Sequence, residues 1–120
     1  MLKILPNTAA NVVALCASGR VDASDYENVL LPAIQAVLAE HQKVRVLYIL
    51  GADFERFTAG AMREDMKLGL GHLTAWEKVA VVTDISWVAD ATNLFRFAMP
   101  CPVKVFPTKE LDLAEGWIAS

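Results

Sequence analysis

The stretch Val44-Arg45-Val46-Leu47-Tyr48-Ile49-Leu50 limits what this chain can fold into more than any other. Side chains alternate sides along an extended backbone, so a nearly unbroken apolar run is apolar on both faces. A central strand covered on both faces satisfies that, and such strands belong to parallel sheets. Lys78-Val79-Ala80-Val81-Val82-Thr83 repeats the pattern, as does Val12-Val13-Ala14-Leu15-Cys16-Ala17, bounded by Gly19. Leu2 to Leu5 is a shorter run ending at the turn signal Pro6-Asn7, and it reads as an antiparallel partner of the run that follows. Pro102-Val103-Lys104-Val105-Phe106 is a short last strand, with proline acceptable at its start.

Between these runs the period changes to that of a helix. Ser24-Asp25-Tyr26-Glu27 has the form of a capping box, opening a helix with Tyr26, Leu30, Ile34, Val37 and Leu38 on its apolar face. Pro32 falls inside and is expected to kink it. Gly51 to Thr58 reads as a loop. Met62, Met66, Leu70 and Leu73 define the next apolar face, with Arg63, Glu64 and Lys67 away from it. Trp87, Ala91, Leu94, Phe95 and Ala98 form a third stripe before Pro100. Thr108 is placed to cap a last helix with Leu111, Ala114 and Ile118 inward. The order β-β-α-β-α-β-α-β-α implies an α/β fold: one domain over residues 1–120, a mostly parallel sheet with helices packed on it, its first strand the antiparallel exception.

Composition narrows function by exclusion. Lys and Arg number 11 against 14 Asp and Glu, a net charge of −3, so no basic footprint for nucleic acid is present. No apolar run approaches the roughly 20 residues that span a bilayer, and no integral membrane segment is expected. The first residues are interrupted too soon by Pro6 to read as a signal peptide. Two cysteines, Cys16 and Cys101, make no CxxC pair, so a reducing cytoplasm is expected. With 55% hydrophobic residues in so short a chain, a homodimer joined through an exposed apolar face is expected.

Motifs for chemistry are sparse. Gly69-Leu70-Gly71 lies late in a helix rather than at a strand-to-helix turn, so it reads as close helix packing, not a phosphate loop. His41 and His72 stand at helix ends without His or Cys neighbours at ligand spacing, and no metal or cofactor is expected. Asp65 and Asp84, with Glu64, are the residues around which metal or hydrolytic chemistry would have to gather. Cys16 sits in a strand, no activating base stands beside Cys101, and there is no G-x-S-x-G elbow. No catalytic residue is assigned and an enzyme is not expected. The aromatic residues are denser. Trp76, Trp87, Phe54, Phe57 and Phe95 either pack the core or, with Met62 and Met66, line a pocket or an interface.

Three segments carry a resemblance over nearly the whole chain. They are Phe57-Thr58-Ala59-Gly60-Ala61 through Asp65-Met66-Lys67-Leu68-Gly69 to His72-Leu73; Trp76-Glu77-Lys78-Val79-Ala80-Val81-Val82-Thr83-Asp84-Ile85-Ser86-Trp87; and Val105-Phe106 with Glu110, Ala114-Glu115 and Trp117-Ile118. Together they resemble the SpoIIAA-like family of small bacterial proteins, in the STAS/SEC14-like group. The resemblance implies a mostly parallel sheet with helices. The family takes its name from an anti-anti-sigma factor that binds a kinase and is phosphorylated on a serine at the start of a helix. The comparable stretch here, Gly51 to Thr58, contains no serine; Thr58 either stands in for it or caps the helix. SEC14-type relatives imply a second role, enclosing an apolar ligand.

Two expectations follow. The first is an interaction module that binds an unidentified protein partner through residues 53–66, with Phe54 and Phe57 as anchors and Thr58 beside them. The second is a small apolar-ligand binding protein whose pocket is lined by Met62, Met66, Trp76, Trp87 and Phe95.

Overall fold

The computed structural model describes residues 1–6 and 9–120 of the chain. Strand β1 (Leu2–Leu5) runs antiparallel to β2 (Val12–Val21), with Leu2 opposite Ala17 and Leu5 opposite Ala14. Asn7 of the expected turn lies outside the described residues. Strands β3 (Val44–Phe57), β4 (Trp76–Thr83) and β5 (Val103–Phe106) then add in chain order, each parallel to the one before. The α/β class, the element order and the antiparallel first strand are those expected from the sequence.

Each parallel connection steps to the next strand in the same direction. Right-handed crossovers then put all three connecting helices on one face of the sheet. These are α1 (residues 23–38), α2 (Ala59–Gly71) and α3 (Ser86–Phe95). The last helix, α4 (Leu111–Ala119), covers the opposite face. Two cores result. Val13, Leu15, Val46, Leu50 and Val81 meet Tyr26, Leu30, Ile34, Ala61 and Val88 on the three-helix side. Val12, Ala14, Leu47, Ala80 and Val82 meet Ala114 and Ile118 on the other. The apolar runs of β2, β3 and β4 are thus consumed on both sides.

Several local expectations give way to stronger constraints. The loop expected over residues 51–58 is the second half of β3. Strand β2 does not stop at Gly19; it absorbs that residue at φ 55°, in the left-handed region that glycine enters freely, and continues to Val21. That gives β3 an edge to follow. Ala17 faces Leu50, Gly19 faces Phe54 and Arg20 faces Arg56, so the extra residues bulge on β3. Each bulge exchanges inward for outward positions, which is how Phe54 and Phe57 both join the same core. The anchors expected on a loop are therefore strand residues, and Phe54 is only 6% exposed.

The capping box of α1 forms earlier than Ser24-x-x-Glu27. Asp22 accepts from the Asp25 backbone N–H at 3.1 Å, and the Asp25 carboxylate accepts from the Asp22 N–H at 3.0 Å. Pro32 does not end the helix. It occupies the first turn of the segment Leu31–Leu38, after a π-helical turn over Tyr26–Leu30 that closes with Leu31 N–H donating to the Tyr26 carbonyl. The widened turn takes up the ring and the missing donor.

Helix α2 is rotated from the expected face. It presents Ala61, Leu68 and Gly69 to the core and leaves Met62, Met66 and Leu70 more than half exposed. Small residues stand where α2 meets its neighbours, Gly60 tightly and Gly69 at ordinary contact distance. A Cβ on Gly60 would stand 3.3 Å from Ala23 Cβ, and one on Gly69 would stand 3.5 Å from the Phe95 ring. In α3 the buried residue is Val88, not Leu94, which is exposed. Thr108 opens a 3-10 turn (Thr108–Glu110) ahead of α4 instead of capping it; its backbone N–H and hydroxyl both donate to Asp84.

Two glycine substitutions are expected to act with opposite sign. No neighbour lies within 4 Å of a Cβ on Gly19, so Gly19→Ala tests the backbone alone and costs about 1 kcal/mol. Gly116, exposed within α4 with open space around it, gains about 0.5–1 kcal/mol as Gly116→Ala. Urea unfolding of the two variants against the parent protein measures both.

Candidate functional site

On the three-helix side, α1, α2, α3 and the sheet bound a half-open cavity of about 430 Å³. That volume falls within the roughly 300–1,000 Å³ typical of small-molecule sites. Its floor is strand: Val46, Tyr48, Leu50, Val79, Val81 and Val103. Its back is Leu30 and Ile34 of α1. Met62, Met66, Trp87 and Ala91 stand at the outer side, where all four are exposed to solvent. The cavity lies where α2 and α3 diverge between two close contacts, Gly60 on α1 and Gly69 against Phe95.

Trp76 sets the inner end. The residue is 6% exposed, and its indole N–H donates to the Gly69 carbonyl at 2.9 Å, which fixes the ring against the last turn of α2. Phe57 lies 4.8 Å from Phe54 and 6.3 Å from Trp87, edge-on to the latter, between ring centroids. Thr58 is the N-cap of α2, its hydroxyl accepting from the Ala61 N–H at 3.1 Å. Of the residues singled out from sequence, Phe57, Met62, Met66, Trp76, Trp87 and Phe95 all line this one cavity. Phe54 stands behind Phe57, packed into the core, and Thr58 holds the start of the helix.

Sequence reasoning missed the polar corner. Tyr26 donates its hydroxyl proton to Asp65 Oδ1 at 2.8 Å, and its oxygen lies 3.2 Å from the Tyr48 oxygen. All three residues line the cavity. The signal was available. The chain has two tyrosines, both in apolar stripes, and a buried phenol needs a partner. Burial pushes the pKa of both tyrosines well above the ordinary phenol range, with the Asp65 charge adding to it, so both are neutral. Asp65 is open to solvent through the cavity while protein crowds its other sides. That crowding raises its pKa above the usual carboxylate value, and the Tyr26 hydrogen bond draws it back. Asp84, the other carboxylate considered for metal chemistry, is engaged elsewhere by Thr108. Among the described residues no group of three or more His, Cys, Asp and Glu is disposed to hold a metal ion.

A five-stranded, mostly parallel sheet with three helices on one face, one on the other and a half-open cavity beneath the three defines an open-sheet α/β domain. The SpoIIAA-like family model matches residues 12–119, and the chain belongs to that family. Among solved structures it is similar to an uncharacterised protein of the DUF3478 family with a SpoIIAA-like fold from Shewanella loihica PV-4. The two share 22% identity and superpose with a TM-score of 0.75, over 98% of this chain and 92% of the other. No curated protein matches the chain. No helix among the described residues is long and apolar enough to cross a membrane.

The raised pKa of Asp65 predicts a sign. A carboxyl whose folded pKa lies above its unfolded value favours folding while protonated, and that advantage is lost as pH rises through the folded pKa. Asp65→Asn keeps an acceptor for Tyr26 and removes the charge, so it raises the unfolding temperature at about pH 7 and loses that gain near pH 3. Thermal melts of both proteins across that range check it.

Proposed function

We propose that this protein binds a small, mainly apolar ligand in the cavity between α2, α3 and the sheet. The observation that carries the proposal is the cavity itself. Small-molecule sites are concave and lined mostly by apolar side chains, and this hollow of about 430 Å³ has both properties. The lining supports the reading: aliphatic floor, aromatic ends, and two methionines whose flexible thioethers adapt to irregular shapes. Trp76 and Trp87 both face the cavity, whereas Trp117 packs with Phe106 on the other side of the sheet.

Titration with 1-decanol, followed by tryptophan emission, is expected to give a saturable change. Ala91→Phe, which fills the mouth between α2 and α3, should weaken that binding about tenfold or more with the unfolding midpoint kept. Unchanged affinity in a folded Ala91→Phe protein would refute the proposal.

A second reading rests on a separate observation. Leu94 and Phe97 are 76% and 88% exposed beside one another at the end of α3, an apolar patch suited to a second copy of the chain. Sedimentation is expected to give a mass above one chain at micromolar concentration, falling to one chain in Phe97→Asp. A single-chain mass in the parent protein discards this reading.

A further inference from the structure

The polar corner of the cavity has a determinate hydrogen-bond polarity. A phenol carries one proton, and that of Tyr26 is given to Asp65. The contact of 3.2 Å between the two tyrosine oxygens must therefore be donated by Tyr48. Both phenolic protons are then used inside the cluster. What remains facing the cavity is acceptor capacity only: the second oxygen of Asp65 and the free lone pairs of Tyr48. No Lys, Arg or His among the described residues pairs with Asp65; the ion pairs there are Arg45 with Glu77, Lys67 with Glu64, and the terminal ammonium with Asp25. Lys67 is turned to Glu64 at 3.6 Å.

From this corner, and resting on the ligand-binding reading above, we infer that the cavity takes an apolar amine: an ammonium group against Asp65 and Tyr48, with the hydrocarbon body along the valine floor. The complement of an acceptor-only corner is a donor, and the complement of a carboxylate without a cation is a cation. A fatty acid would place a second carboxylate against Asp65 with no donor to join them.

Three probes with one tail separate the head-group inference from the cavity proposal: decylamine, 1-decanol and decanoate, each titrated at neutral pH into the full chain and followed by tryptophan emission and calorimetry. Decylamine is protonated there, as an ordinary alkylamine is. The expected order is decylamine tighter than decanol by roughly tenfold or more, with decanoate weakest. Asp65→Asn, confirmed folded by its melting curve, should lose that preference for the amine over decanol. If decanol binds and decylamine binds no better, the amine inference fails and the cavity proposal stands. If decanoate binds best, the inference fails in the same way. If none of the three binds, both fail. An amine preference that persists in Asp65→Asn also overturns the assignment, since the charge would then be read elsewhere.

Discussion

Strand β3 must be covered on both faces, and the other elements take their places from that requirement. Its neighbours are equally apolar, so the sheet demands two layers of helix. The chain adds strands in one direction, so right-handed crossovers deliver three helices to one face and leave the other to α4. The first face is therefore crowded in a particular way. Helix α2 comes close to α1 at Gly60 and touches the Phe95 ring of α3 at Gly69. The cavity is the space left among these helices over a floor of valines.

That space is apolar except at one corner, where the constraint changes from packing to satisfaction. Tyr26 is nearly fully buried, and leaving its hydroxyl unpaired would cost on the order of 1–3 kcal/mol. Asp65 accepts the hydrogen bond from that hydroxyl and in return is held at the cavity wall, in surroundings that disfavour its charge. A domain built for stability alone would place a neutral amide there. The carboxylate keeps an exposed second oxygen, so the group least comfortable in the fold is also the one most available to a ligand.

The sheet was legible because its signal is redundant: five apolar runs with punctuation between them. Helix faces were less so. Met62, Met66 and Leu70 have the spacing of a buried stripe, but the helix is turned so that Ala61, Leu68 and Gly69 face inward instead. Gly19 looked like a strand end because an isolated glycine usually is; only pairing with the second half of β3, which bulges beside it, keeps it inside the strand. The site divided in the same way. Its apolar lining was readable from composition and spacing, since large rings and methionines have few other places to go. The Tyr26–Tyr48–Asp65 cluster was not, because it joins α1, β3 and α2 and depends on a register that no local pattern encodes.

The π turn over Tyr26–Leu30 bears on this cluster through geometry. A turn of that kind holds one residue more than an α-turn, and each residue in a helix sweeps about 100° around the axis. Over the eight positions from Tyr26 to Ile34 a regular helix would drift by about 80°, and the wider turn takes up part of that drift. Tyr26 and Ile34 both reach the three-helix core. The widened turn acts as an indexing step that keeps the phenol in line with the face the helix packs on the sheet.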